Sequence, residues 1–169
     1  MSDPVTRTLV LGLGNPLMGD DGLGLAALQR LREEYELPEL VFLVDGGTWG
    51  MNLLPLVESA EDLVLIDAIN TNAVPGTVIR LERDELPRYF AHKLSPHQID
   101  LREVLALAEW RQTLPKDLVA LGIQPLAVEL GEGLSLPVVN AMDDLVELVV
   151  EHLETRGHAC VRRVTHADA

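Results

Sequence analysis

The chain has few cysteines and few basic residues, and both shortages exclude classes of protein. Cys160 is the only cysteine among 169 residues, so the sequence has neither an internal disulfide nor a C-x-x-C metal site. Only 13 Lys and Arg residues accompany 27 Asp and Glu residues, which gives a formal net charge of −14. Binding to nucleic acid or to an anionic membrane depends on Lys and Arg, so this charge disfavours both partners. A metal ion, a cationic group or a basic peptide is a more suitable binding partner for a chain of this charge.

Long apolar runs are also missing. No run approaches the roughly 18 apolar residues of a membrane span, and residues 1–8 lack the basic and apolar regions of a secretory signal. Together with the single cysteine, these features predict a soluble cytoplasmic protein. The 47% share of hydrophobic residues predicts one globular domain over residues 1–169, with flexible ends at about 1–7 and 156–169.

The familiar catalytic motifs are absent as well. The sequence has no Gly-x-Ser-x-Gly elbow, no His-Glu-x-x-His pair and no Walker loop. Cys160, near the end of the chain, is a poor candidate for a nucleophile. What remains for chemistry is a set of carboxylates and a few histidines.

The stretch from Leu9 to Gly24 contains the central structural motif of the sequence, a strand followed by a turn and the start of a helix. A short apolar run bounded by glycine predicts a buried parallel strand, and the turn behind it leads into a segment of helical period that begins near Asp21. The stretch differs from a dinucleotide-binding loop, because Leu17 stands where the third glycine of G-x-G-x-x-G belongs. Asp20 and Asp21 would also repel a phosphate at the start of the helix. The turn therefore favours a positively charged ligand.

Further apolar runs predict the rest of an open α/β sheet. Strands are expected at about 8–13, 40–44, 63–66, 77–81 and 118–123, the fourth as an antiparallel edge, and helices at about 22–35, 51–58 and 137–155, with another behind Pro96. In such a sheet, ligands bind beyond the carboxyl ends of the strands. The strand ends carry Asp45 and Asp67 and the first turn carries Asp21, so these three side chains can converge on one crevice.

Each aspartate also has an ordinary structural interpretation. Asp is a preferred N-cap and suits the positive end of a helix dipole, but one residue satisfies that need. One of Asp20 and Asp21 is thus left for another role. Asp67 and Asp45 both follow strands, where Asp commonly hydrogen-bonds the backbone of a turn.

His97 is the most informative histidine. Ser95 and Gln98 match a capping box and Pro96 suits the first helical position, so His97 is expected in the first turn of a helix. There the positive end of the dipole opposes imidazolium and keeps the ring neutral, which suits a metal ligand or a general base. A surface histidine is the alternative, and His92 is interpreted as solvated. Two carboxylates and one imidazole suit a divalent ion such as nickel or zinc, with positions open for an outside ligand.

An ordered set of short motifs covers nearly the whole chain. It consists of Gly12-Leu13-Gly14-Asn15 with Gly19-Asp20-Asp21-Gly22-Leu23-Gly24, Asp45-Gly46-Gly47-Thr48, Asp67-Ala68, Pro75-Gly76-Thr77, Ser95-Pro96-His97-Gln98 and Gly122-Ile123-Gln124-Pro125. Each motif alone is weak, whereas the ordered set is specific. With this set the sequence resembles the hydrogenase maturation proteases, the endopeptidases that trim the large subunit of nickel-iron hydrogenases.

The resemblance implies a fold, a site and a reaction. The implied fold is a twisted, mostly parallel five-stranded sheet with helices on both faces and one antiparallel edge strand. By motif position the metal-binding and catalytic residues are Asp21, Asp67 and His97, which leaves Asp20 as the helix cap. The implied reaction is a single hydrolytic cut that removes a C-terminal extension from the large-subunit precursor after nickel insertion. The nickel comes with the substrate, and Asp45 is a candidate base beside a metal that polarises the carbonyl or activates water.

Two other functions compete with this one. Peptidyl-tRNA hydrolases also open with Gly-Leu-Gly-Asn-Pro, but their Tyr and His positions do not follow here, and the charge of −14 is wrong for tRNA. A non-catalytic nickel-binding chaperone would use the same site without hydrolysis. Selection of the particular hydrogenase is expected in loops such as 70–76 and 129–135.

Overall fold

The main sheet of the protein places several strand ends at one edge. The computed structural model describes residues 6–47, 50–91 and 96–164, but not the side chains of residues 96, 97 and 99. The strands are β1 (Thr8–Gly12), β2 (Tyr35–Glu36), β3 (Val41–Asp45), β4 (Asp62–Ala68), β5 (Val78–Glu82), β6 (Asp117–Ile123) and β7 (Val161–Arg162). The helices are α1 (Leu23–Glu34), α2 (Leu54–Ser59), α3 (Leu86–Ala91), α4 (Pro96–Trp110) and α5 (Leu136–Thr155).

Five of these strands form a sheet in the order β3-β1-β4-β6-β5. The first four pair in parallel, and β5 pairs antiparallel with β6 at the edge. The predicted α/β class, the five-stranded sheet and its antiparallel edge strand are therefore confirmed. All seven residues of β4 are buried, as expected for a central strand covered on both faces.

Helices cover the two faces of the sheet. On one face, α1 and α5 pack against Val10, Val64 and Ile66. On the other face, α2, α3 and α4 pack against Leu11 and Leu65. Because neighbouring residues of a strand point to opposite faces, each central strand contributes to both cores. Among the described residues, no helix combines the length and the apolar character needed to cross a membrane.

The parallel strands end at a common edge. In the pairing of β1 with its two neighbours, Gly12 is level with Asp45 on one side and with Ile66 on the other. Asp67, one residue further along β4, is level with Gly122 of β6. The strand-end aspartates therefore lie at the carboxyl edge, flanking the turn that follows β1.

The segment after α5 begins the end of the chain that the sequence predicts to be flexible, at about 156–169. Residues 161–162 form β7, which pairs antiparallel with β2, and His158 is only 2% exposed. The ring Nε2 of His158 lies 2.9 Å from Oγ1 of Thr8, at the amino end of β1. Residues 156–164 thus fold back onto the domain. A two-residue strand is too short to show the alternation by which sequence patterns reveal strands.

A buried polar cluster explains why this segment is fixed in place. Asp62, at the start of β4, accepts a hydrogen bond from Thr8 Oγ1 at 3.1 Å, and its Oδ2 lies 2.9 Å from Nε2 of His152. Asp62 is fully buried and His152 is 2% exposed. The cluster lies at the amino ends of the strands, the edge opposite to Asp67.

Candidate active site

The turn after β1 is built around a glycine that brings two aspartates together. Gly14 has a φ of 112°, which an L side chain rarely adopts. A Cβ at this position would collide with the backbone oxygen of Asp21 and lie 3.3 Å from Oδ1 of Asp67. The missing side chain therefore allows the turn to pass between the backbone of Asp21 and the carboxylate of Asp67.

Asp21 lies in a short 3-10 helix, Gly19–Gly22, that leads into α1. Its side chain is 8% exposed, and its Oδ2 accepts a hydrogen bond from the backbone N–H of Asn15 at 2.9 Å. This bond closes the turn between β1 and α1. The carboxylate is consequently held at the carboxyl edge of the sheet, as the sequence predicts.

Asp67 combines a turn contact with a contact from a distant helix. It is 1% exposed, and its Oδ1 accepts a hydrogen bond from the backbone N–H of Ala68 at 2.8 Å. Its Oδ2 accepts a hydrogen bond from the hydroxyl of Tyr89, on α3, at 2.6 Å. The local interpretation of Asp67 as a turn residue therefore accounts for only part of its environment.

Both carboxylates act on the hydroxyl of Tyr89. Burial raises the pKa of Tyr89 well above its ordinary value, and the charge of Asp67, its hydrogen bond with the hydroxyl and the charge of Asp21 raise that pKa further. The hydrogen bond from the side chain of Gln98 acts in the opposite direction. Asp67 therefore contacts this buried hydroxyl, and Asp21 lies near enough to act on it through its charge. Two carboxylates at this edge of the sheet suit a cationic ligand.

His97 lies in the first turn of α4, where the sequence predicts it. Its side chain is outside the described residues, as are Ser95, the proposed cap, and His92. The next residue, Gln98, is buried and contacts Tyr89. The backbone of α4 therefore carries His97 to the same end of the sheet as Asp67.

Asp45 lies at the same edge but on another face. It is exposed, and its Oδ1 accepts a hydrogen bond from the backbone N–H of Gly47 at 2.9 Å, which is the expected turn contact. Leu43, two residues earlier, packs on the side of α1 and α5, whereas Leu65, two residues before Asp67, packs on the side of α3 and α4. By strand alternation, Asp45 and Asp67 point to opposite faces of the sheet, with β1 between them.

Asp20 is not the helix cap that the sequence predicts. No side-chain cap hydrogen bond is present at α1 or at the 3-10 helix before it. Instead, the buried carboxylate of Asp20 accepts hydrogen bonds from Leu126 N at 2.8 Å, Ala127 N at 3.2 Å, Ser135 N at 2.7 Å and Ser135 Oγ at 2.8 Å. Burial raises the pKa of Asp20, but these hydrogen bonds lower it by more, so it lies below its ordinary value of 3.8.

A second motif residue fixes the other loop beside the site. Oε1 of Gln124 accepts hydrogen bonds from the backbone N–H groups of Thr71 at 2.9 Å and Ala73 at 3.1 Å. Its Nε2 donates to Oδ1 of Asn70 at 3.0 Å. The loops 70–76 and 126–135 are each tied to a motif residue distant in sequence, Gln124 for the first and Asp20 for the second.

Comparison with known proteins decides which family has this arrangement. The family model "Hydrogenase maturation protease" matches residues 25–152. The sequence is 37% identical over 159 residues to the "Hydrogenase 2 maturation protease" of Escherichia coli (strain K12), which covers 93% of this chain and 96% of that protein. The chain belongs to the hydrogenase maturation protease family. The predicted family resemblance is thereby confirmed.

Other relatives of this maturation protease agree. The "Hydrogenase expression/formation protein HupD" of Thiocapsa roseopersicina is 38% identical over 164 residues, covering 96% of this chain and 73% of that protein. The solved structure of the hydrogenase maturating endopeptidase HybD from E. coli superposes with a TM-score of 0.88 at 34% identity, covering 96% of this chain and 99% of that one. The protein is therefore a peptidase with a role in hydrogenase maturation, and not a peptidyl-tRNA hydrolase.

The contacts of two buried residues of the protease, Tyr89 and Asp20, could not be predicted from the sequence. Tyr89 lies on α3, a six-residue helix in a stretch for which the sequence predicts no element. Its partner Asp67 is 22 residues earlier, so no local spacing connects the two. The contacts of Asp20 are 106 to 115 residues away and leave no local signal either. The position of Tyr89 beside Phe90, on a short apolar segment, predicts that the ring is buried but does not predict the partner of its hydroxyl.

Proposed function

We propose that the protease removes the C-terminal extension of a nickel-iron hydrogenase large-subunit precursor by a single hydrolytic cut in the cytoplasm, after nickel insertion. In this reaction nickel is part of the substrate, held by cysteines of the precursor, and the free protease needs no metal of its own. The observation that carries the proposal is the buried pair Asp21 and Asp67. The backbone of Asp21 and the carboxylate of Asp67 border Gly14, and the charges of both side chains act on the Tyr89 hydroxyl.

The donor set suits the metal of this substrate. Nickel is a borderline ion that accepts carboxylate and imidazole ligands. Asp21 and Asp67 supply the carboxylates, and His97 is the proposed third ligand from the first turn of α4, where the helix dipole favours a neutral ring. Among the described side chains, no group of three or more His, Cys, Asp or Glu residues could hold a metal ion, and His97 is outside that set.

Binding of the substrate nickel would also position the bond to be cut. A peptide segment anchored at Asp21, Asp67 and His97 has already lost its translational and rotational freedom. The entropy cost of bringing the scissile bond to the reacting groups is therefore paid on binding. Two routes to hydrolysis follow, polarisation of the scissile carbonyl or activation of a water molecule by the metal. Asp45, at the same edge across β1, is the candidate base for the water, although its side chain points to the face of the sheet opposite to Asp67.

The test is to incubate the purified protease with nickel-loaded and nickel-free precursor and to read the product mass. We expect a shortened product from the nickel-loaded precursor alone. No shortening of either precursor overturns the processing proposal, and a nickel-binding chaperone is then the alternative. Equal cutting of both precursors overturns recognition of nickel.

Variants test the site assignment in the same assay. Asp21→Asn keeps an oxygen that accepts the Asn15 N–H but loses the charge, so we expect a folded protein without processing. His97→Ala is expected to do the same. Asp144→Asn, an exposed position on α5, is the matched control. Normal cleavage by the Asp21 and His97 variants would remove both residues from the site.

A further inference from the structure

The hydroxyl of Tyr89 makes a short hydrogen bond to a proposed nickel ligand. The distance from Tyr89 Oη to Asp67 Oδ2 is 2.6 Å, within the range of charge-assisted O–H···O⁻ bonds. Tyr89 is 2% exposed and Asp67 1%, so water scarcely competes for either group. Such bonds are about twice as strong as those between neutral groups.

Packing alone does not require this hydroxyl. The ring of Tyr89 contacts the ring of Phe90 edge-on, with centroids 4.7 Å apart, and joins the core beneath α3 and α4. A phenylalanine would supply the same apolar surface. A buried tyrosine hydroxyl must instead find polar partners, and here these are Asp67 and the side chain of Gln98.

The two hydrogen bonds connect the elements that carry the proposed ligands. Asp67 is at the carboxyl end of β4, and Gln98 follows His97 in the first turn of α4. Tyr89, on α3, is in contact with both. At Asp67, the Ala68 N–H fixes Oδ1 and the Tyr89 hydroxyl fixes Oδ2, so the plane of the carboxylate is determined by donors on two elements.

We propose that Tyr89 is a positioning residue of the protease, which holds the Asp67 carboxylate in the orientation that meets the nickel of the precursor. This inference rests on the proposed function, in which Asp67 binds that nickel. Partners that orient a metal-binding side chain typically contribute 10- to 100-fold in metal affinity or activity, although they never touch the metal.

The experiment compares Tyr89→Phe with Tyr35→Phe. Both changes remove one hydroxyl from a buried ring, but Tyr35 lies on β2, outside the site. Single-turnover cleavage of nickel-loaded precursor, with protease in excess, gives the dissociation constant and the maximal rate separately. For Tyr89→Phe we expect a dissociation constant roughly 10- to 100-fold higher. For Tyr35→Phe we expect no change.

A second measurement separates positioning from a purely structural role. Rapid-mixing fluorescence measures binding of the precursor, before it is cut, to four proteins: wild type, Tyr89→Phe, Asp67→Asn and the double variant. If Tyr89 acts through Asp67, Tyr89→Phe weakens binding in the wild-type background and not in the Asp67→Asn background. A structural role would lower the melting temperature of Tyr89→Phe and leave binding unchanged below that temperature.

The outcomes separate the two proposals. Unchanged binding and rate in Tyr89→Phe, with an active wild type, overturn the positioning role and leave the proposed function intact. Equal weakening by Tyr89→Phe in both backgrounds overturns action through Asp67. A wild-type protein that neither binds nor cuts the precursor overturns the proposed function and this inference with it.

Discussion

The carboxylate of Asp20 accepts hydrogen bonds from both the backbone N–H and the hydroxyl of Ser135, at 2.7 and 2.8 Å. Ser135 is the N-cap residue of α5, 115 positions later in the chain. Asp20 therefore ties the turn beside the active site to the start of the last helix and to the loop before it. Its neighbour Asp21 contacts Asn15 instead, so two consecutive aspartates hold different parts of the fold.

Asp20→Ala should lower stability strongly. The change removes a buried acceptor of four hydrogen bonds, and bonds to charged groups contribute about 1.5–3 kcal/mol each without adding fully. We expect a loss of about 3 kcal/mol, or a melting temperature lower by roughly 6–12 °C. Scanning calorimetry checks this, with Asp144→Asn as the control. An unchanged melting temperature would show that the hydrogen bonds of Asp20 do not hold the loop.

Gly14→Ala should damage both the fold and the site. The added Cβ meets the carbonyl of Asp21, and the φ of 112° is strained for alanine. We expect a loss of about 3 kcal/mol or more together with loss of processing. Gly133→Ala is the matched control, because its φ is 92° but nothing lies within 4 Å of the added Cβ. That control should cost about 1 kcal/mol. Equal urea-unfolding midpoints for the two variants would contradict the close approach at Gly14.

Stability should fall as the pH falls below about 6.5 because of His158. Burial lowers the pKa of His158 below its ordinary value of 6.5; the charge of Asp62 opposes this shift and His152 adds to it. As the pH falls, His158 therefore binds a proton more readily in the unfolded chain than in the folded protein, so protonation favours unfolding. The slope reaches at most about 1.4 kcal/mol per pH unit for one group.

Urea unfolding at pH 7.5 and pH 5.5 measures this effect. His158→Gln keeps a polar partner for Thr8 but does not titrate, so the stability of this variant should fall less over the same interval than that of the wild type. Because His152 and Asp62 remain in both proteins, the difference measures the contribution of His158 together with its coupling to these two neighbours. Parallel falls would assign the pH dependence to other groups.

Asp45→Asn tests the proposed base without disturbing its turn. Asparagine also offers an oxygen to the Gly47 N–H, so we expect an unchanged melting temperature and unchanged affinity for the precursor. If Asp45 is the base, the maximal rate of single-turnover cleavage falls by about 10²- to 10⁴-fold. An unchanged rate assigns the chemistry to the metal of the substrate.

The sequence predicts the main sheet well because its strands are continuous apolar runs. Four of the five run parallel and are covered by helices, so apolar side chains are needed on both faces and the signal is strong. Because parallel strands share one carboxyl edge, Asp67 at the end of β4 and Asp21 in the turn after β1 lie at that edge, as the sequence predicts. The short pairing of β2 with β7 has no such pattern, and its position was not predictable from local sequence.

The remaining errors concern polar groups whose partners are far away in the chain. The local sequence around Asp20 is typical of a helix cap. A buried carboxylate, however, must be satisfied by hydrogen-bond donors, and for Asp20 these donors are in the loop before α5. His152 falls in a helix and His158 in a predicted flexible end, yet His152 contacts the buried Asp62 and His158 contacts Thr8, which donates to the same carboxylate. Local propensity carries no information about such contacts.

The close packing around Gly14 also has an evolutionary consequence. A Cβ at Gly122 would collide with the carbonyl of Asp67, just as one at Gly14 would collide with that of Asp21. A mutation at either glycine therefore needs a simultaneous backbone change in another element, which single substitutions do not supply. Over the descent of the family these two positions should stay glycine, while Gly133 and Gly157, where only a positive φ and no neighbouring atom disfavours a side chain, should vary more.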